Sequence, residues 1–292
     1  MSAPDVNRPK TGAAVAPPAR SRPDTRATGP LVDVHAHFAH ALSPRADWEQ
    51  LNRSRLEAGA RIGITLHIAS ILGSWGRTSP TYFASPEDVT AGNEALRTII
   101  RAHPGLVTGY VAVNPNYTAH AIDEVERGLA AGMVGIKLAA SRRASDPLLD
   151  PIADLAGERG LPVLQHAWQH RTREVPNQEI SDALDLLALA ARHPGATFIL
   201  AHIGGGGDWA HSLRALRGVP NVFVDLSGSG VDRGMLELCL ECVGPERLLW
   251  GCDLTMDTGW AKLRALEAMG FAPEALEGIR WKTAARLFRL SL

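Results

Sequence analysis

His35 and His37 stand two residues apart in the run LVDVHAH (31–37). If that run is a strand, both imidazoles point to one face. Two neutral imidazoles side by side are poor core filler and good ligands for Zn2+ or a similar borderline metal. On its own such a pair is more often a hydrogen-bonded couple at a strand end, so its weight depends on its company. Lys137 stands in GIKL, His166 ends LPVLQH, His202 follows TFILA, and Asp253 closes RLLWGCD. His166 or His202 alone reads as a structural histidine. A carboxylate after LLWGC is unfavourable unless it is paired, bound to a metal or used as a helix N-cap. Taken jointly, these polar groups at the ends of apolar runs point to a metal site.

The elements that must position them are eight apolar runs, 31–37, 62–69, 105–113, 133–138, 161–166, 197–202, 222–227 and 247–253. Their spacing of roughly 25 to 40 residues leaves room for one crossover helix each, as parallel strands require. One intervening segment shows the helical period: Ile180, Leu184, Leu187, Ala188 and Ala191 share a face. Gly132 and Gly160 precede the fourth and fifth runs, where helices stop. Eight β-then-α units predict an α/β fold, a single closed (β/α)8 TIM barrel. An open doubly wound sheet would carry a glycine-rich phosphate loop where HAHFAH stands. In a barrel, functional groups gather at the C-terminal strand ends, so the five polar run ends meet at one mouth.

Residues 1–29 are rich in Pro, Arg and Ala, with Val6 and Val15 the only large aliphatics after Met1. They read as a disordered extension, without the apolar core of a secretory signal. Residues 30–292 remain as one domain of about 260 residues, the size of one barrel. Lys plus Arg is 30 against 31 Asp plus Glu, a net charge of −1, which argues against a nucleic-acid binder. No apolar run approaches the roughly 20 residues of a membrane span. Three cysteines make no disulfide framework, so a reducing cytoplasm is expected. Cys239 and Cys242 read as core, and Cys252 should face the outer helices. The glycine runs at 204–207 and 228–230 read as tight turns. Trp75, Arg77, Tyr82 and Phe83 follow the second run, and Trp168, His170, Arg171 and Arg173 the fifth. Such loops are either ordinary solvated segments or grips for a planar carboxylated substrate, Trp168, Arg171 and Trp75 being the candidates.

LVDVHAHF, GIKL, QH, AHIGGG and WGCD, in that order over about residues 31–290, resemble the amidohydrolase superfamily. More narrowly they resemble the amidohydrolase-related branch that includes aminocarboxymuconate-semialdehyde decarboxylase and related metal-dependent hydrolases. WKTAARLFRL resembles that branch's closing helix, with Thr283 where Asn is usual. The resemblance implies His35, His37 and His166 as metal ligands and Asp253 as a ligand or near-ligand that takes a proton. It implies His202 beside the metal as general acid/base or electrophile, and a homodimer. One divalent ion is implied, with Zn2+ fitting the donors best and Mn2+, iron or cobalt able to take the same place. Lys137 has three readings: a carboxylated bridge to a second metal, as in binuclear relatives; a cation paired with a carboxylate; or a contact to an anionic substrate. The function implied is hydrolysis of a small amide, ester or lactone by a metal-activated water. The alternative, with the same residues, is non-oxidative decarboxylation of an aromatic or unsaturated acid. A metal-free binding scaffold would have lost members of so complete a set.

Overall fold

Short runs rich in Val, Ile and Leu, buried on both faces, form the strands, as a parallel sheet covered by helices requires. The computed structural model describes residues 29–167, 178–179, 181–203, 208–228, 230, 232–254 and 256–292, the side chains of Met256 and Asp257 excepted. The N-terminal extension up to residue 28 lies outside the described residues, as do Trp168, His170, Arg171, Arg173, Ile180 and the glycines at 204–207.

The chain runs β1 (Val32–His37), α1 (Trp48–Ile62), β2 (Leu66–Ser70), α2 (Pro86–Ala102), β3 (Val107–Val113), α3 (Thr118–Ala130), β4 (Gly135–Leu138), α4 (Asp150–Arg159) and β5 (Pro162–Gln165). It continues α5 (Ala183–Arg192), β6 (Thr197–Leu200), α6 (Trp209–Ala215), β7 (Val222–Asp225), α7 (Met235–Val243), β8 (Leu248–Leu249), α8 (Met256–Ala268), α9 (Pro273–Glu277) and α10 (Thr283–Phe288). Every strand pairs in parallel with the next, from Val32 opposite Leu66 round to Asp225 opposite Leu249. Val34 N–H donates to Trp250 O (3.1 Å) and Asp253 N–H to His35 O (2.7 Å), which joins β1 to the segment after β8 and closes the expected (β/α)8 barrel.

Two apolar layers result. Ile136, Val163, Phe198, Leu186 and Leu189 lie in the layer between strands and helices. Val32, Leu66, Tyr110, Leu164, Ile199 and Leu249 fill the barrel interior, where Ala284 and Phe288 of α10 join them and plug one end. Thr283 is buried inside a continuous helical run, π-helical over Gly278–Lys282, and directs its hydroxyl at Glu246 O (3.5 Å). Among the described residues no helix is long and apolar enough to cross a membrane.

Three sequence expectations shift. β2 begins at Leu66, not residue 62, because α1 runs on to Ile62 and stops at Gly63 in the left-handed conformation (φ 89°). α5 forms, but on another face: Ala183, Leu186, Leu189 and Ala190 go inward and Leu184 is 51% exposed. ALDLLALAAR is apolar nearly all round, so its period does not choose a face. The capping box of Asp182 and Asp185 then sets where the first turn begins. Strands β6 to β8 end earlier than expected, at Leu200, Asp225 and Leu249, which leaves the polar residues beyond them on bent backbone.

Candidate metal centre

A bulge in β1 places the histidine pair. Leu31 packs in the outer layer and Val32 and Val34 in the interior, so plain alternation would turn His35 outward. The register with β2 shifts between Asp33 and Ala36, Ala36 and Phe38 return to the outer layer, and His35 and His37 thereby face the barrel mouth. Tyr110 Oη donates to the carbonyl of Val34 at this irregularity (2.7 Å). Gly251 lets the last strand approach: a Cβ there would lie 3.0 Å from His35 Cβ. Asp33 turns outward, where Arg55 (3.0 Å) and His67 (3.3 Å) hold its carboxylate and its other oxygen accepts from Cys252 N–H (2.9 Å). Cys252, as expected, sits under α8 against Gly259.

The outer nitrogens of both histidines are engaged. His35 Nδ1 lies 2.7 Å from Asp225 Oδ2 and 3.0 Å from Ser227 Oγ. A carboxylate only accepts, so Nδ1 carries the proton and Nε2 turns its lone pair to the centre. His37 Nδ1 lies 3.2 Å from Ser70 O, which fixes the same tautomer. The two Nε2 atoms then face each other at 3.2 Å. Asp253 Oδ1 stands 3.4 Å from His37 Nε2 and 4.0 Å from His35 Nε2. Facing lone pairs beside a carboxylate oxygen call for a cation among them. Donors on one ion with bonds of about 2.1 Å lie roughly 3 to 4 Å apart, so the set fits. His35, His202 and Asp253 also bring ligand atoms within 4.8 Å of one another. Lys137, fully buried, places Nζ 2.8 Å from His35 Nε2 and supplies one positive charge to the same point.

His166 and His202 form a second pair. Gln178 Nε2 lies 3.2 Å from His166 Nε2, His166 Nδ1 lies 2.9 Å from His202 Nε2, and His202 Nδ1 lies 3.1 Å from Ser227 Oγ and 3.6 Å from Asp253 Oδ2. The chain of donors and acceptors runs from Gln178 through both rings to the Ser227 hydroxyl, with the Asp253 carboxylate beside its end. His202 and Asp253 reach it from left-handed backbone, each with φ 64°, and Trp75 (φ 55°) and Ala140 (φ 68°) share that conformation at the same end of the barrel. Strained backbone of this kind gathers at functional sites.

Burial holds His35, His37 and His202 well below the ordinary histidine range, with the Lys137 charge adding to it, and brings His166 down to about 3. All four rings are therefore neutral near pH 7, the state in which imidazole ligates metal. Burial pushes the Asp253 carboxyl up to about 6 against the pull of Lys137, and Lys137 itself down to about 8.

Of the residues singled out from sequence, His35, His37, Lys137, His166, His202 and Asp253 meet at one mouth, and Trp75 packs T-shaped with His37, centroids 5.4 Å apart. Trp168 and Arg171 lie outside the described residues. His40 is also buried, its Nε2 2.9 Å from Gly73 O, and ties the loop after β2. Sequence reasoning missed Asp225, Ser227, Ser70 and Gln178. Asp225 carried a usable signal, a carboxylate in VFVDLS two residues after the inward Phe223.

The amidohydrolase family profile matches residues 32–290. No curated protein matches the chain. Among solved structures, 2,6-dihydroxybenzoate decarboxylase from Rhizobium is similar at a TM-score of 0.68 and 18% identity, over 89% of this chain and 98% of that one. A 5-carboxyvanillate decarboxylase from Novosphingobium aromaticivorans, complexed with manganese and 4-hydroxy-3-methoxy-5-nitrobenzoic acid, is similar at 0.68 and 16%, over 91% and 97%. A dihydroxybenzoic acid decarboxylase from Polaromonas sp. JS666, with bound manganese and 2-nitroresorcinol, is similar at 0.66 and 16%, over 89% and 97%. At these identities the likeness is one of fold. The profile, spanning the barrel and every histidine of its mouth, makes the chain a member of the amidohydrolase family.

Proposed function

We propose that this chain is a divalent-metal-dependent, non-oxidative decarboxylase of a planar aromatic or conjugated carboxylic acid. The observation that carries the reading is one compact donor cluster flanked by two aromatic rings, Trp75 against His37 and Tyr82 against His166. The fold neighbours named above as decarboxylases of hydroxylated benzoates, two of them with manganese, support it.

His35, His37 and Asp253 would hold the ion. The reading from sequence also takes His166 as a ligand, beside His35 and His37, which would come at the expense of its bond from Gln178. The ion, Zn2+ or Mn2+, would bind substrate oxygens and stabilise negative charge that builds on them as the C–C bond breaks. Lys137 Nζ draws the substrate carboxylate into the mouth. Asp253 turns Oδ1 to the histidine pair and Oδ2 toward His202, so the free oxygen can exchange a proton there. His202, 3.6 Å from Asp253 Oδ2 and backed by His166, passes that proton to the carbon that loses its carboxylate. The electron pair of the C–CO2 bond stays on that carbon, one proton is taken up, CO2 leaves, and no redox partner is needed.

Hydrolysis of an amide, ester or lactone is the second reading, and Lys137 is what favours it. An amine brought down to about 8 by burial is unprotonated often enough to take up CO2 as a carbamate and bridge a second ion. Incubation in D2O with 2,6-dihydroxybenzoate and 5-carboxyvanillate, beside a panel of esters, amides and lactones, separates the two. The expected result is CO2 release and one deuterium on the vacated carbon. Cleavage of the panel with no CO2 from any acid would overturn decarboxylation.

A further inference from the structure

Among the described residues, two aromatic rings at the mouth come from one segment, the loop at 71–85 between β2 and α2. Trp75 packs T-shaped on His37 of β1, with ring planes at 84°. Tyr82 lies tilted by 33° against His166, which follows β5, with centroids 5.2 Å apart. β1 and β5 are on opposite sides of an eight-stranded barrel, so the rings flank the donor cluster. The indole Nε1 of Trp75 is shut off from solvent and has no acceptor among the described residues. Buried N–H groups are nearly always paired.

The loop is held in place before any substrate arrives. Asp88, in the first turn of α2, accepts from Ser74 Oγ (3.0 Å), Thr78 Oγ1 (2.5 Å) and Ser79 Oγ. His40 Nε2 holds the carbonyl of Gly73 (2.9 Å), and Arg77 donates to the carbonyls of Ala41 (3.2 Å) and Ser43 (3.4 Å). These ties fix Trp75 in its left-handed conformation (φ 55°).

We infer that this loop selects the substrate: Trp75 and Tyr82 clamp a planar acid from two sides, and Trp75 Nε1 donates to a second oxygen function on it. Asp88 is a positioning residue that acts through the loop hydroxyls. The inference rests on the proposed function for the place of the carboxylate, and it narrows the substrate to a flat conjugated acid that carries another oxygen.

The test is equilibrium binding of salicylate, benzoate and cyclohexanecarboxylate to metal-loaded wild type, Trp75→Phe and Tyr82→Leu, with metal content measured on each. Salicylate should bind wild type about tenfold tighter than cyclohexanecarboxylate, the scale of one hydrogen bond plus one aromatic contact. Trp75→Phe should lose most of the preference for salicylate over benzoate, and Tyr82→Leu the preference for benzoate over cyclohexanecarboxylate, with metal content unchanged. Asp88→Asn should raise KM for 2,6-dihydroxybenzoate more than it lowers kcat. Variants that bind all three acids as wild type does, or a wild type that binds none, would overturn the inference. The expected binding pattern without CO2 release from any acid would instead sink the decarboxylase reading and leave the clamp standing.

Discussion

Asp225 decides which nitrogen of His35 faces the candidate metal centre. Its carboxylate can only accept from Nδ1, so Nε2 keeps a lone pair for a cation. Asp225→Asn offers an N–H to the same atom and favours the opposite tautomer, with a proton on Nε2. Metal affinity, read by competition with a chelator, should fall by about 10- to 100-fold, the usual effect of losing such an outer partner. An unchanged affinity would show that His35 is oriented by Ser227 alone. The candidate site residues were legible in the sequence because His-x-His, QH, AH and CD end apolar runs. Asp225 carried only the weaker signal of a carboxylate in an apolar run, because VFVDLS reads as one more buried strand until the inward face of its neighbours is known.

At the scale of elements, the eight runs and their order around the barrel follow from composition and spacing. The strand ends do not, because they depend on backbone that apolar periodicity cannot report. His202 is the clearest case: β6 ends at Leu200, and a positive φ, not strand alternation, brings the ring into the mouth. The β1 bulge is another, since an unbroken strand with Val34 inside would have turned His35 out. The helical layer depends on buried polar ties as well. Glu124 of α3 accepts from Thr90 (2.7 Å) and Asn93 (2.9 Å) of α2 and pairs with Arg127. Burial alone would raise its pKa, but these bonds and the charges of Arg127 and Arg97 outweigh that and hold it below the ordinary range. A carboxyl depressed in the folded state gives stability that is present above its unfolded pKa of about 4.3 and is lost as pH falls through the lower folded value. Glu124→Gln should therefore unfold at lower denaturant than wild type at pH 7, by about 2 kcal/mol. The gap should close as pH drops below about 4. An equal gap at pH 7 and pH 3 would exclude the ionic contribution.

For the molecule as a whole, the barrel makes a centre that no contiguous stretch of chain could make. His35 and Asp225 are 190 residues apart in sequence and 2.7 Å apart in space. Closure of β8 on β1 brings Asp253 to the histidine pair, and α10 plugs the other end, so the polar groups converge at one mouth. The central claim is that His35, His37 and Asp253 hold one divalent ion there. Elemental analysis after loading with Zn2+ or Mn2+ and removal of excess tests it directly, on wild type and on His35→Ala. One ion per chain in wild type, lost in the variant, is the predicted result. No ion in either protein, or two per chain in wild type, would contradict it.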